Sequence, residues 1–282
     1  MDRQVSEFIE QVHTELVSNL LPFWISNAID QEGGGIHGRI SNELVVDRTA
    51  PRSLVLVTRS LWTFSAAAIF FNDPEYLAVA HGIYDYFIRH FIDKKYGGAY
   101  WMLNSSGDPV DNTKKVYGHA FVIYALSEYF KATRNNKVLD QTIDFYHLTE
   151  THFGENKYGG YIEAVSRDWS PTTDWRLSMI DVNAMKSMNA HLHLLEAYTN
   201  LYSQWSDGGL RERLRELVAC FRDHIIDHER HHFHLFFNEE WQLKSRSVSF
   251  GHDIEGSWLI CKALEVLDDE PLRRVMLDEA LA

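Results

Sequence analysis

The sequence has little that would hold a fold together from outside a packed core. It contains two cysteines and six prolines in 282 residues. Cys220 and Cys261 lie inside apolar helical stretches and not in a closely spaced pair, which argues against a disulfide framework or a thiolate zinc site. Both read as small core residues. No run of about 18 uninterrupted apolar residues occurs, and the opening MDRQVSEFIEQ lacks the charged-then-apolar layout of a signal peptide. A soluble, cytoplasmic protein is expected. Positive charge is the scarcer sign: 27 Lys and Arg against 40 Asp and Glu leave a formal net charge of −13. A chain without a concentrated basic face is a poor partner for nucleic acid or an anionic membrane, because neither can release its counterions to it. No HExxH, paired CxxC, Walker-type or GxGxxG sequence is present, and GGGIHG at 33–38 opens no cofactor-type helix. No metal or nucleotide cofactor is expected.

Aromatic and histidine residues, by contrast, are plentiful: 13% of the chain is aromatic, with eight Trp, and there are 15 His. Aromatic rings stack on the C–H faces of sugars and also fill cores, so composition alone only hints at carbohydrate. With 45% hydrophobic content the chain can bury a large core.

A repeat organises the sequence. Gly33-Gly34-Gly35-Ile36, Tyr96-Gly97-Gly98-Ala99-Tyr100 and Tyr158-Gly159-Gly160-Tyr161 recur at a step of about 62 residues. A degenerate fourth copy follows Ile226-Asp227, at Phe233-His234-Leu235-Phe236. Paired Gly flanked by aromatic and β-branched residues predicts a hairpin or tight loop, since Gly supplies the positive φ. Between these loops the apolar spacing turns helical, over 54–71, 74–92, 116–134, 136–152, 182–204, 209–226, 249–267 and 270–281. An N-terminal helix at about 4–20 brings the total to nine. Asn72-Asp73-Pro74 and Asp269-Glu270-Pro271 are stop-and-start signals within pairs. Loop, helix, helix, repeated, predicts hairpins laid in a ring, with the more apolar first helix of each pair inside.

Inner helices of such a ring open their N-terminal turns at one mouth. Arg59 with Trp62, Tyr117 with His119, Asn189 with His193 and His252 with Glu255 fall there. Arg59, His119, His193 and His252 are expected at corresponding depth, one ionisable group per repeat in helices otherwise built for burial. Each also has a plain reading as a bonded core residue, and Arg59 as a partner of Asp181 or Glu255. Glu255, three residues after His252, is placed to orient its imidazole. His191 and His193, two apart, point to different faces. His228, His231, His232 and His234 read as a solvated surface cluster.

Three segments carry a resemblance: Arg59-Ser60-Leu61-Trp62-Thr63-Phe64-Ser65, Met188 through Thr199, and Ser249-Phe250-Gly251-His252-Asp253-Ile254-Glu255. They resemble the N-acylglucosamine 2-epimerase family, and within it the cellobiose 2-epimerase branch. The resemblance implies an all-α (α/α)6 barrel that interconverts glucose and mannose units at the reducing end of a disaccharide, through ring opening and an enediolate served by two histidines. His252 matches one of them. Arg59 and His193 match residues around the developing oxyanion, and Tyr117, Asp181, Asn189, Glu255 and Trp62 match pocket positions. A cation and hydrogen-bond donors near the enediolate oxygens suit this chemistry.

The family's second acid/base histidine and two sugar-stacking tryptophans match nothing up to residue 282, and nine helices fall three short of twelve. One incomplete barrel domain, 1–282, is therefore expected, with an unclosed edge able to associate. An aldose-ketose isomerase, a carboxylate-based barrel hydrolase using Asp181, Asp253 and Glu255, and an inactive sugar-binding fragment are the alternatives.

Overall fold

The structure, a computed structural model, describes residues 3–281, with side chains as far as residue 277; residues 1, 2 and 282 of the expected 1–282 domain lie outside it. The first helical rod starts as α1 (Arg3–Glu15) and continues through π-helical turns Leu16–Leu20 and Trp24–Ala28, with a single α-helical turn, α2 (Leu21–Phe23), between them. Four pairs follow: α3 (Leu54–Phe71) with α4 (Pro74–Tyr86), α5 (Val116–Thr133) with α6 (Asn136–Phe153), α7 (Met188–Tyr202) with α8 (Gly208–Cys220), and α9 (Phe250–Leu267) with α10 (Glu270–Leu281). The predicted punctuation is present. Asn72 ends α3 in the left-handed region, and the Asp73 carboxylate accepts the Glu75 N–H ahead of α4; Asp269 accepts the Leu272 N–H in the same way at α10.

Two boundaries differ: the N-terminal helix expected to end near residue 20 runs on to Ala28, and α7 starts late. The segment predicted as helix from 182 becomes helical only at Met188, because Lys186–Ser187 is a strand and Ser187 caps the helix by accepting the Ala190 N–H at 3.1 Å. That strand pairs with Phe236–Phe237, about 50 residues on, a contact that local periodicity does not register.

The odd-numbered helices α3, α5, α7 and α9 pack side by side in that order, and each is backed by the even-numbered helix that follows it. This is the inner-and-outer layout of an (α/α)6 barrel, with about nine of its twelve helices among the described residues. α5 and α7, flanked on both sides, bury most of their length; Ala120, Val122, Ile123, Leu126, Leu192, Leu194 and Leu195 are fully enclosed. α3 is the one helix among the described residues long and apolar enough to cross a membrane, and here it packs on α4 and α5. α3 and α9 are the two ends of the inner row and are not packed on each other.

Short strands stitch consecutive repeats together at the N-terminal ends of the inner helices. β1 (Arg52–Ser53) pairs with β2 (Met102–Leu103), which also pairs with β3 (Pro109–Asp111). β4 (Lys114–Lys115) pairs with β5 (Ala164–Val165). β6 (Lys186–Ser187) pairs with β9 (Phe236–Phe237), while β7 (Ile226–Asp227) pairs with β8 (His232–Phe233) inside the fourth hairpin. The first N–H of each of three inner helices is satisfied across this rim: Leu54 donates to the Trp101 carbonyl, Val116 to Glu163 and Met188 to Leu235. The Gly-paired loops are hairpins closed at Ile29 and Ile36, Ile92 and Ala99, and Gly154 and Tyr161. Gly98 and Gly160 have positive φ and lie so close to His119 and His191 that a side chain would collide with the imidazoles.

Candidate active site

Counting from the first residue of each inner helix shows which side chains share a face. The second, sixth and ninth positions lie on one side of a helix. They are Val55, Arg59 and Trp62 on α3; Tyr117, Phe121 and Tyr124 on α5; Asn189, His193 and Glu196 on α7; Gly251, Glu255 and Trp258 on α9. Six of the eight residues expected at the site fall in this set. Phe121, Tyr124 and Glu196, which were not singled out, share the same register, and counting from helix starts would have found them.

Phe121 is the hub. The Arg59 guanidinium lies over its ring at 4.3 Å, Tyr117 is 5.0 Å away and His193 4.7 Å, centroid to centroid. Tyr117 meets His193 edge-on at 5.1 Å. Burial pushes the Tyr117 phenol above its ordinary range, and the Arg59 guanidinium beside it pulls the other way. His193 is buried and its Nδ1 lies 2.9 Å from Glu196 Oε2. Burial, then the Glu196 carboxylate, push Tyr124 upward too. Trp62 stacks on Tyr124 at 5.1 Å with 15° between planes, and its indole N–H is buried without an acceptor.

Asn189 and Asp181 meet in an adjoining recess of about 50 Å³, lined also by Glu163, Ser187 and Phe236. Asp181 belongs to the loop before α7, where its Oδ2 accepts the Ser178 N–H at 2.8 Å and hydroxyl at 2.9 Å. Asn189 Oδ1 and Glu163 Oε2 are buried without partners. Burial is the main reason the Glu163 carboxyl rises to about 7, with the Ser187 hydroxyl and the Lys115 charge opposing it. Orphaned buried polar atoms are costly, and Trp62, Asn189 and Glu163 bring three of them to this mouth.

His252 is the third residue of α9, half-buried, and its Nδ1 is 2.7 Å from the Ser249 hydroxyl. Ser249, and not the expected Glu255, is the side chain that orients the ring. Glu255 acts instead as a negative charge within reach of Tyr117.

The expected alignment of Arg59, His119, His193 and His252 at one depth is overturned: Arg59 and His193 are the sixth residues of their helices, but His252 is the third and His119 the fourth. His119 is in register with His191 and Asp253, and this position clamps the hairpins. Ala99 N–H donates to His119 Nε2 at 3.4 Å, Tyr161 N–H to His191 Nε2 at 3.0 Å, and Phe233 N–H to Asp253 Oδ1 at 2.9 Å. Burial drives His119 down to about 3 and His191 to about 4, so both stay neutral and can accept. His191 and His193 face opposite ways, as their spacing implied. The fourth-loop histidines do not form a wholly solvated cluster: His232 and His234 are half-buried and face Asp227.

Known proteins can be set beside this geometry. The family model described as N-acylglucosamine 2-epimerase matches residues 34–281. A cellobiose 2-epimerase of Bacteroides fragilis is 41% identical over 263 residues, covering 93% of this chain and 67% of that protein. The solved cellobiose 2-epimerase of Bacillus thermoamylovorans B4167 superposes with a TM-score of 0.92 at 36% identity, over 98% of this chain and 71% of its own. A D-mannose isomerase of Marinomonas mediterranea is 28% identical, covering 80% of this chain and 54% of that protein.

Proposed function

The chain belongs to the N-acylglucosamine 2-epimerase family, an isomerase family, and from that premise we propose that its mouth acts at C2 of the reducing-end glucose or mannose unit of a disaccharide, through the open-chain sugar and an enediolate. One observation carries this reading: Arg59, Tyr117 and His193, from three different inner helices, converge on the Phe121 ring at the end of the barrel where His252 stands in the first turn of α9.

The chemistry follows from the acidity of the substrate. A C2–H bond is acidified only by the neighbouring C1 carbonyl, and breaking it leaves negative charge on the enediolate oxygens. A fixed guanidinium and a phenolic donor are worth most where that charge develops. With Nδ1 of His252 held by Ser249, Nε2 is the nitrogen left to take the C2 proton. Return of a proton to the opposite face inverts C2, and the second histidine that the resemblance assigns to this task is not among the residues gathered here. Trp62 stacked on Tyr124 offers an apolar wall, and Asn189 with Asp181 offers hydroxyl partners. The apolar edge of α1 and α9 is, on the same reading, a surface through which the chain associates.

Return of the proton to C1 would give a ketose. That second reading draws on the D-mannose isomerase relative. Incubation with cellobiose in D2O, followed by NMR and product separation, tests both. Deuterium at C2 of an intact disaccharide supports the first reading and a ketose supports the second. An unlabelled sugar, or release of monosaccharide, overturns them.

A further inference from the structure

Each hairpin that leads to an inner helix begins with an acid. Asp30, Asp93, Glu155 and Asp227 accept N–H bonds from the turn: Glu32 and Gly33, Lys95 and Tyr96, Lys157 and Tyr158, Glu229 and Arg230. In three of the four, the carboxylate also meets a buried cation set two residues before the inner helix begins. Arg52 reaches Asp30 at 2.5 Å, Lys114 reaches Asp93 at 3.2 Å, and Lys186 reaches Glu155 at 3.3 Å. The same three cations donate to the carbonyls of Gly34, Gly97 and Gly159 at the hairpin tips. Each cation therefore ties its turn to the start of the next helix.

The fourth repeat lacks this part. The residue in that register is Val248, and the tip position is His231. Asp227 Oδ2 is faced instead by His232 Nε2 at 3.6 Å and His234 Nε2 at 3.9 Å, with the Arg230 guanidinium at 3.4 Å on the solvent side. Arg230 is 73% exposed and so only weakly replaces a buried charge. His232 and His234 alternate along an extended segment, which puts both imidazoles on one face and Phe233 on the other. Nδ1 of His232 is buried without a partner, leaving Nε2 as the nitrogen that faces the carboxylate. The three ligand atoms lie within 4.8 Å of one another. Bonds of about 2.0–2.2 Å to a tetrahedral zinc-like ion require only a small contraction.

We propose that Asp227, His232 and His234 form a binding site for a divalent transition-metal ion of the zinc class, the ion standing where the other three hairpins carry a buried Lys or Arg. Two imidazoles and a carboxylate suit zinc, cobalt and nickel, and exclude a preference for the hard ions magnesium and calcium. The ion's place in the molecule is structural. Phe233, between the two histidines, packs under Gly256, and its N–H bonds Asp253, so a metal-stiffened hairpin seats the first turns of α9, where His252 stands.

The test uses the tag-free chain stripped with chelator, titrated calorimetrically with Zn2+ and followed in visible absorption with Co2+. Expected is one ion per chain with a dissociation constant in the micromolar range or below, and a rise in thermal midpoint with Zn2+. His232→Asn and His234→Asn are each expected to weaken binding at least 100-fold. Asp227→Asn removes the carboxylate ligand but keeps an acceptor for the turn N–H groups of Glu229 and Arg230, and is expected to weaken binding as strongly while leaving the far-UV spectrum native. Only adventitious, millimolar binding by the parent chain, or unchanged affinity in either histidine variant or in Asp227→Asn, would overturn the proposal. All of these readouts are independent of sugar turnover.

Discussion

Arg59 is exposed, yet its guanidinium is placed by the Phe121 ring beneath it and by the Tyr117 hydroxyl. A solvent-exposed cation over an aromatic ring contributes only about 0.5–1 kcal/mol to stability. The same cation opposite a developing oxyanion is worth far more to rate. Arg59→Ala is therefore expected to change unfolding free energy by less than about 1 kcal/mol, while C2 proton exchange falls roughly 10²- to 10³-fold. Arg59→Lys should recover only part of the loss, because an ammonium lacks the planar fork. Urea unfolding and deuterium exchange on the same variants separate the two effects. These residues were legible in the sequence as types and motifs. Their grouping was not, since the intervals of 60, 74 and 59 residues between Arg59, His119, His193 and His252 hide a change of register that appears only when each helix is counted from its own cap. Phe121 stayed hidden for a further reason: an aromatic residue in a buried helix is indistinguishable from core until a cation is found on it.

At the scale of elements, most of the fold was readable, because Asn72, Asp73 and Asp269 punctuate the helices locally and the Gly pairs mark the hairpins. The start of α7 was not, since β6 is specified by β9 and by Glu163 across the rim, not by its own sequence. The hairpin clamps give this layer a pH dependence. A buried neutral His191, lowered to about 4, means that the unfolded chain binds a proton more readily than the folded one. Its contribution to stability is complete above the unfolded value near 6.5 and is lost as pH falls toward 4. The loss is on the order of 3 kcal/mol at full burial. His191→Gln, which keeps an acceptor for the Tyr161 N–H, is expected to flatten the fall in unfolding free energy between pH 6.5 and 4. An unchanged slope in that variant would remove His191 from the explanation.

Among the described residues the inner row has four helices, and α3 and α9, at its two ends, are not packed on each other. On α9, Phe250, Ile254 and Trp258 form an exposed stripe at helical spacing, 84%, 73% and 55% accessible; Val5, Phe8, Ile9 and Val12 form another on α1. Full burial of such a side chain is worth about 1.5–3 kcal/mol, which these residues forgo. Concentration-dependent association is the expected consequence. Sedimentation velocity should show average mass rising with concentration, and Ile254→Glu should weaken that association at least tenfold; a parent chain that stays monomeric throughout would contradict it. What the barrel mouth does is decided by a proton. The most direct measurement is the rate at which the C2 hydrogen of cellobiose exchanges with D2O in the presence of the parent chain and of His252→Ala, both checked for native folding. Exchange by the parent that falls at least 100-fold in the variant is the expected result. Equal exchange in the two proteins, or none in the parent, would contradict the assignment of His252 as the base at this site.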